Sequence, residues 1–220
     1  MDRASIMAIG SRLKIDSWPD DHDRGGRLGG VGSAVEDEDG GWLRPLPASA
    51  RELLIRLDAP PRLAAHLRAV HDVAAQLLDW LAARCPGVTV DAATVLMGSA
   101  LHDIGKVVHS SELSGPGSAH EAAGYELLRA HDVPEEVARI ARDHADWRRD
   151  DLPLEALIVS LADKAWKDQR VVDLEQRVVE RITAATGEAP WRVFADLDDV
   201  LTRIGEDAPR RLAYQSRYHA

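Results

Sequence analysis

At 220 residues the chain is long enough for one good-sized helical domain with a tail, or at most two small units. A formal net charge of −10 without any Lys/Arg-rich run argues against a nucleic-acid polymer as partner. The single cysteine, Cys85, excludes an internal disulfide framework and fits a reducing compartment, and no apolar run reaches the length needed to span a bilayer.

The start, with Asp2 and Arg3, lacks a signal-peptide apolar region, so the expected location is the cytoplasm. Residues 1–47 carry an acidic cluster around Asp20 to Asp23, glycines between Gly25 and Gly32, and a second acidic run, Glu36 to Asp39. With few large apolar residues after Trp18 they cannot repay their ordering entropy, and a flexible tail is expected there, with Trp42 and Leu43 pinning its end. From residue 48 to 220 the signals are helical. Ser49 with Glu52, Ser118 with Glu121, and Asp132 with Glu135 have capping-box spacing.

Pro60 and Pro61 open a helix whose Leu63, Leu67, Val70, Ala74, Leu77 and Leu81 share one face, and Pro86-Gly87 ends it. Further helices are expected near 91–103, 119–130, 134–147, 154–169, 173–186, 190–204 and 207–217. Val88 to Val90 is the only strand-like fragment, and the fold class is all-α. The amphipathic helices of 171–220 most simply cover the same core; contribution to a homodimer interface is the sharper reading.

On these helices several polar residues interrupt the apolar stripes. His66 lies at the edge of the Leu63/Val70/Ala74 stripe. His102 and Asp103 follow the apolar run Ala92 to Leu101 and continue as Ile104-Gly105-Lys106. His120 shares a face with Gly124 and Leu127, His144 lies in the stripe of Val137 and Ile140, and Asp163 sits between Val159 and Trp166. Any one histidine on an apolar face is more often a hydrogen-bonded core residue than a ligand. Imidazoles and carboxylates converging from five helices are hard to bury except around metal or within an extensive hydrogen-bond network. A second His-Asp pair, His71-Asp72, falls opposite the Leu63 stripe and is expected to face water.

The ordered set His66, His102-Asp103, His120, His144, Asp163 resembles the HD-domain superfamily in its HDIG form. The likeness covers about residues 60–170 and includes Val70 and Ala74 after His66, the loop Ser114 to Gly124, and Leu161-Ala-Asp163-Lys164. It implies a helical bundle with a metal site at its centre, serving hydrolysis of phosphomonoesters or phosphodiesters in a nucleotide or small phosphoester. By position, His66, His102, Asp103 and Asp163 would hold one divalent metal, and Asp103 would bridge to a second on His120 and His144. This sequence departs from the family pattern at Glu121, directly after His120, where many relatives have proline, and the short Gly/Pro-rich loop could hold His120 out of reach.

Iron or manganese leads among the metals these ligands suit, with cobalt, nickel and zinc also fitting. Metal would lower the pKa of a bound water towards neutrality, Asp103 would be the central catalytic carboxylate, and Lys106 would neutralise the non-reacting phosphoryl oxygens. Gly105 would let the backbone turn away sharply after Asp103. Arg170, two turns beyond Asp163, would clamp a phosphate or pair with an acid. Trp147 and Trp166 could stack on a base, though packing is the plainer reading. The alternatives are a di-iron oxygenase with the same ligand order and a regulatory module without catalysis.

Overall fold

The computed structural model describes residues 30–36 and 41–219. They form ten α-helices and two 3-10 turns, and no strand occurs among the described residues. The helices are α1 (Val31–Glu36), α2 (Ala48–Arg56), α3 (Pro61–Arg84), α4 (Ala92–Leu101), α5 (Ala119–Ala130), α6 (Glu135–Asp143), α7 (Leu154–Ala165), α8 (Val172–Thr186), α9 (Pro190–Glu206) and α10 (Ala208–Ser216). The 3-10 turns, Ile104–Val107 and Ser110–Leu113, separate α4 from α5. The all-α expectation holds. No helix among the described residues is long and apolar enough to cross a membrane.

The 24-residue α3 is the axis of the fold. Pro61 occupies its first turn, where a missing N–H costs nothing, and the chain leaves the helix at Cys85, just before Pro86. Every residue from Leu63 to Ala75 is buried, so this helix is enclosed on all sides rather than amphipathic. One apolar cluster gathers the C-terminal half of α3 with α7, α8 and α9, through residues such as Leu77, Leu157, Val178 and Leu197. The other gathers its N-terminal part with α2, the end of α4, α5 and α10, through Leu54, Leu67, Leu101, Leu128 and Tyr214. His66 stands near the point on α3 where Leu67 of one cluster gives way to Ala69 of the other, so the polar centre lies in the seam between them.

The segment expected as a tail is partly structured. Residues 1–29 and 37–40 lie outside the described residues, but α1 and residues 41–47 pack on the domain: Ala34, Leu43 and Leu46 are buried, and the Tyr214 hydroxyl donates to the Ala34 carbonyl at 2.6 Å. This packing also overturns the expected exposure of His71 and Asp72, which are 3% and 4% exposed. Asp72 Oδ1 accepts the Arg44 backbone N–H at 3.1 Å and Oδ2 accepts from Gln76 at 2.8 Å, while the His71 ring nitrogens lie 3.2 and 3.1 Å from the Leu96 and Pro45 carbonyls. Residues 44–45 supply the backbone groups that replace water on that face.

None of the three expected capping boxes forms. Helix α2 starts before Ser49, after Pro47; α6 starts after Pro134; and the Ser118 side chain makes no cap at α5. The working side-chain cap is Asp91 on α4, which accepts the Ala93 N–H at 3.0 Å and the Thr94 hydroxyl at 2.7 Å. Helix α7 ends at Ala165, four residues short of expectation, where fully buried Arg211 of α10 donates to the Trp166 carbonyl at 2.8 Å and also to the Ile204 carbonyl. That arginine ties the ends of α7 and α9 together beside the polar centre.

Candidate metal centre

Five helices deliver six side chains to the seam. His66 comes from the second turn of α3, and His102 and Asp103 come from the point where α4 gives way to the 3-10 turn. His120 belongs to the first turn of α5, His144 directly follows α6, and Asp163 lies near the end of α7. His66 Nε2 lies 3.2 Å from Asp103 Oδ2 and 3.5 Å from Asp163 Oδ1, and His102 Nε2 lies 3.7 and 3.6 Å from the same two oxygens. The other oxygen of Asp103, Oδ1, faces His120 Nε2 at 3.1 Å and His144 Nε2 at 3.6 Å. The Gly/Pro-rich loop therefore does not keep His120 out of reach. His66, His102 and Asp103 form one group able to hold a metal ion, and Asp103, His120 and His144 form a second.

The spacings fit an ion. Ligand atoms about 2.1 Å from a common centre lie roughly 3.0–3.5 Å apart in octahedral or tetrahedral shells, close to the separations here. Ring orientation supports the same reading. His102 Nδ1 donates to the Ser99 carbonyl at 2.9 Å and His144 Nδ1 donates to the Ala141 carbonyl at 3.1 Å. Each bond places the proton on Nδ1 in the neutral ring and leaves the Nε2 lone pair aimed at the carboxylates. His102 Nε2 is completely buried and has no hydrogen-bond partner, an expensive orphan that a cation would satisfy.

Electrostatics show what holds these groups poised. Burial pushes His66 down, and burial with the nearby His102 charge pushes His144 down to about 4. Burial also opposes ionisation of Asp103, but the His102 charge and hydrogen bonding with His120 and His66 outweigh it and hold the carboxyl well below its usual range. Asp163 is held low against burial by the His102 ring that faces it at 3.6 Å and by the His102 charge. At His102 and His120 burial disfavours the imidazolium, yet the carboxylates around them win and raise both. Two ionised carboxylates among rings of opposed tendency make a site for which protons and divalent cations compete.

Glu112, on the second 3-10 turn, escaped the sequence reading. Its Oε2 lies 2.5 Å from His120 Nδ1 and accepts the His120 N–H at 3.1 Å, while Oε1 accepts the Ala119 N–H at 3.2 Å. It thus caps α5 in place of Ser118 and turns His120 so that Nε2 meets Asp103. No spacing rule flags a glutamate eight residues before a histidine across an irregular loop. Removing such an orienting carboxylate typically costs 10–100-fold in metal affinity. Glu112→Ala is expected to weaken metal binding by the Asp103, His120 and His144 group about that much while the His66, His102 and Asp103 group keeps its affinity, as metal titration followed by calorimetry will show.

Gly105 is used differently from expectation. It does not adopt a positive φ; among described residues only Gly117 and Gly187 do so among the glycines. A Cβ at Gly105 would lie 1.9 Å from the His120 carbonyl oxygen and 2.6 Å from the Gly124 nitrogen. The missing side chain lets α5 press its backbone onto the 3-10 turn that follows Asp103.

Five of the six polar groups line a cavity of about 400 Å³, and His102, fully buried, lies behind them. Lys106 lines it, with Nζ 2.5 Å from Asp103 Oδ2, and Lys164 lines it, with Nζ 2.7 Å from Asp163 Oδ2. Arg62, Glu121, Lys167 and Gln215 complete the polar wall. Arg170 is not part of this lining. Because α7 stops at Ala165, the same-face argument fails, and Arg170 instead pairs with Glu175 at 2.8 Å and Asp198 at 2.7 Å. Trp147 and Trp166 are both 5% exposed; Trp166 packs edge-on against His66 with centroids 5.0 Å apart, so neither presents a free face to a base.

A model of the HD domain family matches residues 63–165, a stretch that contains all six side chains. No curated protein and no solved structure gives a significant match.

Proposed function

Since the chain belongs to the HD-domain superfamily through residues 63–165, we propose that it is a metal-dependent phosphohydrolase acting on a nucleotide or small phosphoester. The observation that carries this reading is Asp103, whose two oxygens each face a separate pair of imidazole Nε2 atoms, as a carboxylate shared by two ions must. Divalent ions held by His66, His102, Asp103 and Asp163 and by Asp103, His120 and His144 would supply an activated water near neutral pH and positive charge for the phosphoryl oxygens.

The chain's own residues do the rest. The Ser99 and Ala141 carbonyls and the Glu112 carboxylate hold three rings in the orientation that presents Nε2. Burial of His102, Asp103, His120 and His144 keeps bulk water from competing for them. Lys106 and Lys164 each lie beside a ligand carboxylate, where they can neutralise phosphoryl oxygens that do not react.

The test is turnover of protein purified without chelator, reconstituted with manganese or iron, on phosphomonoesters, phosphodiesters and nucleotides in the presence and absence of oxygen. Phosphate release at equal rates under both atmospheres, abolished by chelation, is expected. Turnover that requires oxygen would transfer the site to the oxidative class, and a fully loaded protein inert across the series would leave a binding module.

A further inference from the structure

Two cations stand one turn outside the first group of ligands. Arg62 precedes His66 by four residues on α3, and Lys167 follows Asp163 by four residues just beyond α7. Arg62 therefore shares the face of His66 about one helical pitch, ~5.4 Å, further along the wall, and Lys167 stands in the turn that ends α7, where it lines the same cavity as Asp163. Both line the same cavity, and neither forms an ion pair or hydrogen bond with another described residue. Many arginines elsewhere are engaged: Arg84, Arg142, Arg149 and Arg170 meet carboxylates, and Arg148, Arg192 and Arg210 lie over tryptophan rings. In a chain with 37 acidic and 27 basic side chains, unpaired cations turned towards one cavity do not come from an excess of base.

The basic groups thus form two tiers. Lys106 and Lys164 are the inner tier, in contact with Asp103 and Asp163. One phosphoryl group at the ligand cluster can satisfy them, which leaves Arg62 and Lys167 with nothing to neutralise. Glu121, next to His120, places negative charge on the side of the second ligand group and disfavours an anion extending that way. Trp166 is engaged with His66 in a T-shaped contact and is 5% exposed, so the outer wall offers charge rather than an open stacking face.

We propose that Arg62 and Lys167 form a second phosphate subsite, and that the substrate carries at least two linked phosphoryl groups, as in a nucleoside polyphosphate or an organic diphosphate. This rests on the phosphohydrolase reading and narrows it. The subsite binds the phosphoryl group that is not attacked, and the long side chains reach inward from their turn to meet it.

The experiment is calorimetric titration of the manganese-loaded full chain with inorganic phosphate and with methylenediphosphonate, a diphosphate that resists hydrolysis. Manganese content is measured on the same samples. The diphosphonate is expected to bind at least tenfold more tightly than phosphate. The double variant Arg62→Ala/Lys167→Ala should retain its metal and its phosphate affinity but lose most of that advantage, and Arg62→Lys/Lys167→Arg should restore it. Removal of manganese by the diphosphonate affects wild type and variants alike and cannot produce the difference. Equal affinity for the two anions in the wild type, or an advantage that survives in the double alanine variant, overturns the subsite while leaving the hydrolase reading intact. Failure of the loaded protein to bind phosphate at all overturns both.

Discussion

Asp103→Ala is expected to empty the centre of both ions and to lower phosphoester turnover by at least about 10³-fold, beyond what loss of one charge-stabilising donor costs. Among the described residues Asp103 alone belongs to both candidate ligand groups, with Oδ2 towards His66 and His102 and Oδ1 towards His120 and His144. Its removal leaves His120 and His144 without a carboxylate to share an ion, and it leaves the first group with Asp163 alone against two rings. Lys106, now without its partner 2.5 Å away, adds positive charge to the same space and further discourages a cation. Metal analysis should therefore fall from about two ions per chain to near none. His144→Ala removes a ligand from the second group only and should keep one ion. Retention of two ions by Asp103→Ala would remove Asp103 from its bridging position and with it the basis for the proposed chemistry.

The convergence of the candidate ligands was legible in the sequence because its physical signature is local: polar residues standing where a 3.6-residue stripe should be apolar. His66, His102, Asp103, His120, His144 and Asp163 all occupy such positions, and the structure brings all six together. What was not legible depends on contacts between distant segments. His71 and Asp72 looked solvent-facing because helix periodicity counts only the faces of their own helix, and the groups that cover them are backbone atoms of Arg44 and Pro45, just past the expected Trp42–Leu43 anchor, whose landing place no spacing rule gives. The capping boxes had correct spacing, but Pro47 and Pro134 set the start of their helices and Glu112 reached α5 from another element. Arg170 followed from an assumed helix four residues longer than α7, and Arg62 and Lys167 gained meaning only once His66 and Asp163 shared a cavity.

Gly105→Ala should be among the most damaging single substitutions outside the ligands, although it adds one methyl group. The new Cβ would meet the His120 carbonyl oxygen at 1.9 Å and the Gly124 nitrogen at 2.6 Å, and both are backbone atoms that cannot rotate aside. Helix α5 must then move away from the 3-10 turn, at a cost of about 3 kcal/mol or more. For a chain of this length that corresponds to a fall in Tm of roughly 6–12 °C. The shift acts on the residue whose carbonyl is struck, so His120 Nε2 leaves its position 3.1 Å from Asp103 and the second ion is lost before the first. Gly105→Asn separates this cause from the turn chemistry suggested by the sequence. Asparagine tolerates left-handed backbone, and a glycine kept for a sharp turn would accept it with modest loss. A glycine kept because another helix backbone lies against its Cα will reject asparagine at least as strongly as alanine. Thermal unfolding of both variants with metal counted on each decides it: a near-wild-type Gly105→Asn protein carrying two ions would mean that α5 does not bear on this turn, and His120 would then need another account of how it reaches Asp103.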